Sequence, residues 1–229
     1  MSQFSMSRHL GLIRAERATT VGQHINAQKL WATRYHEAGL CNSDRPVDSL
    51  SQADHTCELA PAAMWRTVTF LAYQRVASQS TLDTPATERV CGTVTLLAPE
   101  FESNDAGGIG KITRLAINQA PTNGPPHPDS YLRVFLELTS LLHRTALEMQ
   151  LTHLEAVVHP RHAKLYRRIF KAEVIGQPFA CEEVGGSPGQ QIRMKITHAD
   201  IIHTRIRAHF KNQTQRHAPV GQLQPGAIH

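Results

Sequence analysis

Hydrophobic positions along this chain recur in two periods, and the period changes from one segment to the next. From Gln23 to Glu37, Ile25, Leu30 and Tyr35 on a polar background predict an amphipathic helix, and Gly39 is placed to end it. Two runs rich in Val and Thr follow, Arg66 to Gln74 and Arg89 to Ala98, joined by a polar Ser/Thr/Asp/Pro segment. Branched side chains suit pleated backbone, so these runs predict an antiparallel strand pair with a long connection. A further strand is predicted over Lys111 to Asn118, which starts after Gly107, Gly108 and Gly110 and ends before the Pro-rich stretch Pro121 to Pro128. Cys41 to Pro61 carries Asp44, Asp48 and Asp54 without a clear period, and reads as a long loop able to cover a site.

Asp129 or Ser130 can cap the long helix that comes next, since either side chain can accept from a free first-turn amide. Leu132, Phe135, Leu136, Leu142, Ala146 and Met149 form its apolar face, and Arg133, Glu137, Ser140, Arg144 and Glu148 its polar stripe. Such a helix must pack on a sheet. Leu154 to Val158 is a short apolar strand, His159-Pro160 turns the chain, and Ala163 to Phe170 returns as a helix. Glu173 to Ile175 and Gln191 to Ile196 are closing strands around a Gly185 to Gly189 turn. The order of helix, strands, helix, strand, helix, strands predicts an α/β (α+β) three-layer sandwich with a mixed central sheet. The chain thus divides into a flexible N-terminal arm over residues 1–20, one domain over 21–205, and a basic disordered tail over 206–229.

With 229 residues, 41% of them hydrophobic, there is enough chain for one well-buried core. The net charge of +5 favours acidic partners, and part of it is local: after Asp200 no acidic side chain occurs, while Arg205, Arg207, Lys211 and Arg216 do. Nucleic acid is disfavoured as that partner, because no segment interleaves aromatic and basic residues for recognition. The four cysteines are widely separated and read as reduced structural thiols. The apolar run Leu10 to Ile13 is broken at once by Arg14 and Arg17, and nothing approaches the roughly 18 apolar residues of a membrane span, so a cytoplasmic location is expected. The fourteen histidines are scattered; His159 and His162 flank a Pro160 corner, and no metal site is expected.

Two segments carry the chemistry. His159-Pro160-Arg161-His162-Ala163-Lys164-Leu165-Tyr166-Arg167-Arg168-Ile169-Phe170 resembles the Asn-Pro-Arg-His-x-x-Phe-Tyr-x-Arg-hydrophobic segment of long-chain N-acyl amino acid synthases, relatives of the acyl-homoserine-lactone autoinducer synthases. Upstream, Lys111-Ile112-Thr113-Arg114-Leu115-Ala116-Ile117 is similar to their Lys-hydrophobic-Thr-Lys/Arg-Leu-Ala-Val strand. His159 replaces the usual Asn, and Phe170-Lys171-Ala172 stands where Leu-Gly-Phe is common.

The resemblance implies an N-acyltransferase fold whose sheet is splayed between the fourth and fifth strands. The acyl-phosphopantetheine thioester would lie in that gap as co-substrate, with no tightly bound cofactor and with acyl carrier protein as the donor. Tyr166 would protonate the departing sulfur; the alternative is an aromatic core residue with a hydrogen-bonded tip. Glu155, a carboxylate in an apolar strand, needs a cation, a solvent channel or a raised pKa, and is the candidate base; the alternatives are an ion pair with Arg114 or exposure at an edge. By strand alternation Arg114 shares a face with Ile112 and Ala116, while Thr113 faces the other way. Arg114 can grip an amino-acid carboxylate or serve a structural pair. Thr113, His159, Arg161 and His162 complete the substrate-binding set. His159 could also be a base near neutral pH or a histidine bonded to a backbone carbonyl. Lys164, Arg167 and Arg168 suit an acidic carrier, or are an ordinary solvated helix face.

Coenzyme-A-dependent acetyltransferases hold pyrophosphate on loop amides before a helix. Here Asn118 to Pro126 occupies that place, and its prolines have no amide hydrogen to offer. The expected function is transfer of a long acyl chain from acyl carrier protein to the amine of an amino acid. A coenzyme-A-dependent N-acetyltransferase and a non-catalytic module binding an acyl carrier or acidic ligand are the alternatives.

Overall fold

The computed structural model describes residues 13–40, 65–76, 87–100, 108–118 and 128–198, together with 201, 202, 204–206 and 208. The expected long loop at 41–61, most of the Pro-rich stretch and the far C-terminal tail lie outside these residues. Seven strands form one sheet in the order β1-β2-β3-β4-β5-β7-β6. They are β1 (Ile13–Arg17), β2 (Trp65–Val76), β3 (Thr87–Pro99), β4 (Ile109–Ile117), β5 (His153–Val158), β6 (Glu173–Cys181) and β7 (Ser187–Lys195). Every pairing is antiparallel except β4 with β5, so the sheet is mixed, as the order of predicted elements requires.

Helix α1 (Val21–Glu37) covers one face over β2, β3 and β4, whereas α2 (Pro128–Glu148) and α3 (Pro160–Phe170) cover the other. The assignment follows from side-chain alternation in β2: Phe70 and Ala72 join the core under α2, and Leu71 and Tyr73 join Ala18 and Ala27 under α1. A capping box starts α1, with Thr20 accepting from the Gln23 amide and the Gln23 side chain returning to the Thr20 amide; Gly39, at φ 67°, follows its end. Helix α2 approaches β3 so closely that a Cβ on Gly92 would lie 2.5 Å from Val134 Cγ1, which is why no side chain stands there.

Several elements differ from the sequence reading. The segment expected as a loose arm contains strand β1 from Ile13 on, paired with β2 and anchored by Arg14, whose guanidinium meets Glu16 and Glu88. Helix α2 begins at Pro128, so Asp129 and Ser130 lie within its first turn. Ser140, placed on the polar stripe, is buried and donates to Leu136 O at 2.6 Å, the back-bonding that lets a hydroxyl enter a helix interface. Strands β6 and β7 are longer than predicted, and turn at Gly185 and Gly186, both at positive φ. Near the C-terminus, Ile202 and Ile206 are fully buried, so packing extends to the edge of the expected tail.

Candidate active site

Strands β4 and β5 are paired only from Ile109 with His153 to Ile112 with Ala156, although β4 runs on to Ile117 and β5 to Val158. Beyond Ala156, β5 remains bonded to β7, through Val157 with Gln191 and Val158 with Gln190. The sheet therefore opens between β4 and β5, where the resemblance implied a splay. Arg114 lies just past this point at φ 55°, a left-handed conformation costly for a side chain other than glycine. The β3–β4 register jumps there, from Thr95 opposite Thr113 to Thr93 opposite Ala116.

This bulge overturns the alternation expected from sequence. Ile112 and Leu115 both line a cavity on the α2/α3 face, and the Arg114 guanidinium instead lies over the Trp31 ring of α1, 5.1 Å from its centroid. Arg114 and Ile112 thus face opposite sides.

The cavity, about 20 Å³, is walled by apolar groups of Val94, Phe135, Leu142 and Met194, with Tyr166, Phe170 and His143 around it. Tyr166 is half-buried on α3, its ring centroid 5.5 Å from that of Phe170. Desolvation pushes its hydroxyl well above the ordinary value, and repulsion from Tyr131 and Tyr35 adds to the effect. It stays protonated at neutral pH and so offers a donor. Tyr35 belongs to α1, on the opposite face of the sheet from α3.

His143 is buried, its Nδ1 donating to Thr139 O at 2.8 Å and its ring stacked 5.7 Å from Phe170. Burial lowers its pKa to about 4, so the imidazole is neutral.

Glu155 is paired, but with a different cation from the one expected. Arg193 on β7 donates to its Oε1 through Nε at 2.8 Å and Nη2 at 2.6 Å, and Gln191 Nε2 donates to Oε2 at 3.1 Å. Because β7, not the bulged part of β4, lies opposite Glu155, Arg193 has the register to reach it and Arg114 does not. Lys111, the β4 residue in register with Glu155, directs its Nζ over Trp65, 4.9 Å from the ring centroid. Thr113 is half-buried in β4, opposite Thr95.

His159 caps α3: its Nδ1 accepts from the Arg161 amide at 3.3 Å, ahead of Pro160 at the first turn. The ring is exposed and its Nδ1 accepts from an amide, so a buried ring bonded to a carbonyl does not describe it. Arg161 Nε donates to His162 Nε2 at 3.3 Å, and the His159 and His162 rings are 6.0 Å apart. Burial, then the positive charge of Arg161, lowers the His162 pKa. Lys164, Arg167, Arg168 and Lys171 are all exposed, and no carboxylate among the described residues pairs with them. At the corner after α3, Lys171 takes the left-handed conformation, φ 55°, that favours glycine, and Phe170 and Ala172 stay buried.

The structure therefore gathers Tyr166, Thr113 and Arg114 about the seam, sets Glu155 in an ion pair, and makes His159 a helix cap. Sequence reasoning used Tyr35 only to predict a helix and passed over Trp31 and Tyr131, although the four-residue spacing of Trp31 and Tyr35 on one helix face was visible.

The family described as N-acyl amino acid synthase FeeM matches residues 26–195. The chain belongs to this family. The FeeM match spans β2 to β7, most of α1 and both helices of the opposite face, so the residues of the seam lie within it. The protein is an N-acyltransferase. Its fold is similar to that of FeeM, an N-acyl amino acid synthase from uncultured soil microbes, at 14% identity and TM-score 0.55, covering 81% of this chain and 93% of that one. A putative N-acetyltransferase from Lactobacillus plantarum is similar at 12% identity and TM-score 0.50, covering 81% and 99%. The acyl-homoserine-lactone synthase LasI gives 15% identity and TM-score 0.48, covering 81% and 90%. A search among curated protein sequences finds no match. No helix among the described residues is long and apolar enough to cross a membrane.

Proposed function

We propose that the protein transfers a long acyl chain from the phosphopantetheine thioester of acyl carrier protein to the amine of an amino acid, in the cytoplasm. The carrying observation is the seam, where a four-residue parallel pairing gives way to two diverging strands with Tyr166 and Arg114 beside the opening. Unpaired backbone groups of β4 and β5 are suited to an extended amide-bearing arm, as an added strand would be. The carrier is favoured over free coenzyme A by two features. The Pro-rich segment before α2 offers few amides for a pyrophosphate. The exposed cations Lys164, Arg167 and Arg168 of α3, which no carboxylate among the described residues meets, suit an acidic protein.

The uncharged amine attacks the thioester carbonyl carbon, forming the C–N bond and placing negative charge on oxygen. As the oxyanion collapses, the C–S bond breaks and Tyr166 O–H gives its proton to the sulfur. Tyr166 recovers a proton released from the nitrogen, so the net products are an N-acyl amino acid and the carrier thiol. Holding both reactants at one opening supplies much of the rate, and the apolar wall strengthens the tyrosine dipole. Thr113 and Arg114 bind the acceptor, and Arg161 and His162 border the donor at the α3 start. His159 preserves that corner by capping. Glu155, saturated by Arg193 and Gln191, serves as a pin between β5 and β7, and the acceptor amine loses its first proton to solvent.

The test is to incubate the protein with acyl-loaded carrier protein and mixed amino acids and to look for acylated products by mass. Products from the carrier thioester and none from the coenzyme A thioester support the reading. Carrier binding with no product, or product only from coenzyme A, overturns it.

A further inference from the structure

Three observations meet on the α1 face of the seam. Arg114 is held in a left-handed conformation that favours glycine, yet the residue there carries a guanidinium. That guanidinium has no carboxylate among the described residues, while Arg14, Arg34 and Arg193 each have one. The Trp31 indole beneath it has a buried Nε1–H with no acceptor among the described residues, an arrangement that natural proteins seldom leave unmet. Tyr35, one turn further along α1, packs its ring 5.1 Å from that of Trp31 at 52°.

A forked cation and an indole N–H in one stack are two donors without an acceptor among the described residues. The ligand class that serves both is a two-oxygen anion. We propose that Trp31, Tyr35 and Arg114 form the acceptor subsite and that they bind the α-carboxylate of the amine substrate, so that amines lacking this carboxylate are rejected. The inference rests on the acyl-transfer reading above. In an α-amino acid one carbon separates carboxylate from amine, so a carboxylate on Arg114 keeps the nitrogen beside the opening that begins after Ile112. Tyr35, on the same helix, packs its ring against that of Trp31 and so helps to fix the indole beneath Arg114. Strain at Arg114 is then the cost of aiming a cation at a substrate.

The test compares leucine with leucinamide, which share a side chain and an amine and differ in the carboxylate, using acyl-loaded carrier protein and rates corrected for the uncharged amine. The acid is expected to be favoured by roughly 50-fold, the scale of a charge-assisted hydrogen-bonded pair. Arg114→Gln should lower the rate with leucine by about that factor relative to the rate with leucinamide, so that the preference for the acid is largely lost. Trp31→Phe, which keeps the stack and removes the N–H, should lower the leucine rate by about fivefold. Equal rates for acid and amide in the native protein, or an equal loss for both in Arg114→Gln, overturn the subsite.

A second readout needs no turnover. The Trp31 indole N–H resonance, assigned against Trp65→Phe, should shift on titration with leucine and stay fixed with leucinamide. A resonance indifferent to both refutes the subsite. Absence of acylation with a leucine-dependent shift would instead refute the acyl-transfer reading alone.

Discussion

Among the described residues, two arginines lie over aromatic rings, and they differ in everything else. Arg14 on β1 sits 4.7 Å from the Tyr73 centroid, in a regular strand, and is met by Glu16 and by both oxygens of Glu88. Those carboxylates, Glu88 first, raise its pKa further. Arg114 sits 5.1 Å from the Trp31 centroid, at a bulge with positive φ, with no such partner among the described residues. The first stack closes the sheet edge, where an unpaired strand invites misassociation. The second spends stability on an orientation that the fold itself does not use. A cation–aromatic contact alone is not a mark of function; its company and its backbone are.

The contrast is broken or sharpened by a graded set of changes. The largest effect is expected at the opening itself: Tyr166→Phe should reduce kcat about 10²- to 10⁴-fold, the scale of a general acid, with the melting temperature nearly preserved. Arg14→Gln should leave kcat and KM unchanged in the same assay. A Tyr166→Phe protein with native turnover would strip the seam of its acid.

Next comes His143, buried on the far face from both stacks. Its pKa in the fold, about 4, lies below its ordinary 6.5, so the unfolded chain binds more protons between these values. The stability this contributes is complete above pH 6.5 and is lost as pH falls to 4, by up to about 3 kcal/mol at 1.36 kcal/mol per unit. Urea unfolding at pH 7 and pH 4.5 measures it, and His143→Phe should flatten the difference. An unchanged pH dependence in that variant would assign the loss to other groups.

Glu155→Gln should cost about 1 to 2 kcal/mol of unfolding free energy, a buried-pair loss reduced because the Arg193 side chain is 41% exposed and can turn to water. Turnover of the folded fraction should persist; its disappearance would restore Glu155 as the base. The smallest effect is the most direct comparison of the two arginines. At position 114 glycine should be more stable than alanine by about 1 kcal/mol, because φ is positive there. At position 14, in regular strand, alanine should be the more stable. The same order at both sites would show that the bulge carries no strain.

What the sequence disclosed followed regular periods and bounded runs. Strand β4, set between glycines and prolines, and β5 with α3, split by His159-Pro160, were legible because breakers mark their ends. Strand β1 was not, since Ile-Arg-Ala-Glu-Arg has little apolar content and is held by Glu88, far away in the chain. The partner of Glu155 was missed because strand order decides which cation stands opposite, and β7 lies between β5 and the edge strand β6. Arg114, a candidate either for substrate binding or for a structural pair, was placed on the wrong face, because alternation assumes a regular strand and one bulge inverts it. Trp31 and Tyr35 gain a role only from an opening in the sheet, which no local pattern records.

The short pairing of β4 with β5 also bears on how the molecule deforms. Two antiparallel ribbons, β1 to β4 and β5 to β7, are stitched to each other within the sheet by four residue pairs, whereas β2 and β3 share twelve. Mechanically this is two plates on a narrow hinge. Substrates entering at the open end act with leverage on those four pairs, so amide protons of Lys111 and Glu155 should be the first within the sheet interior to register that the site is filled.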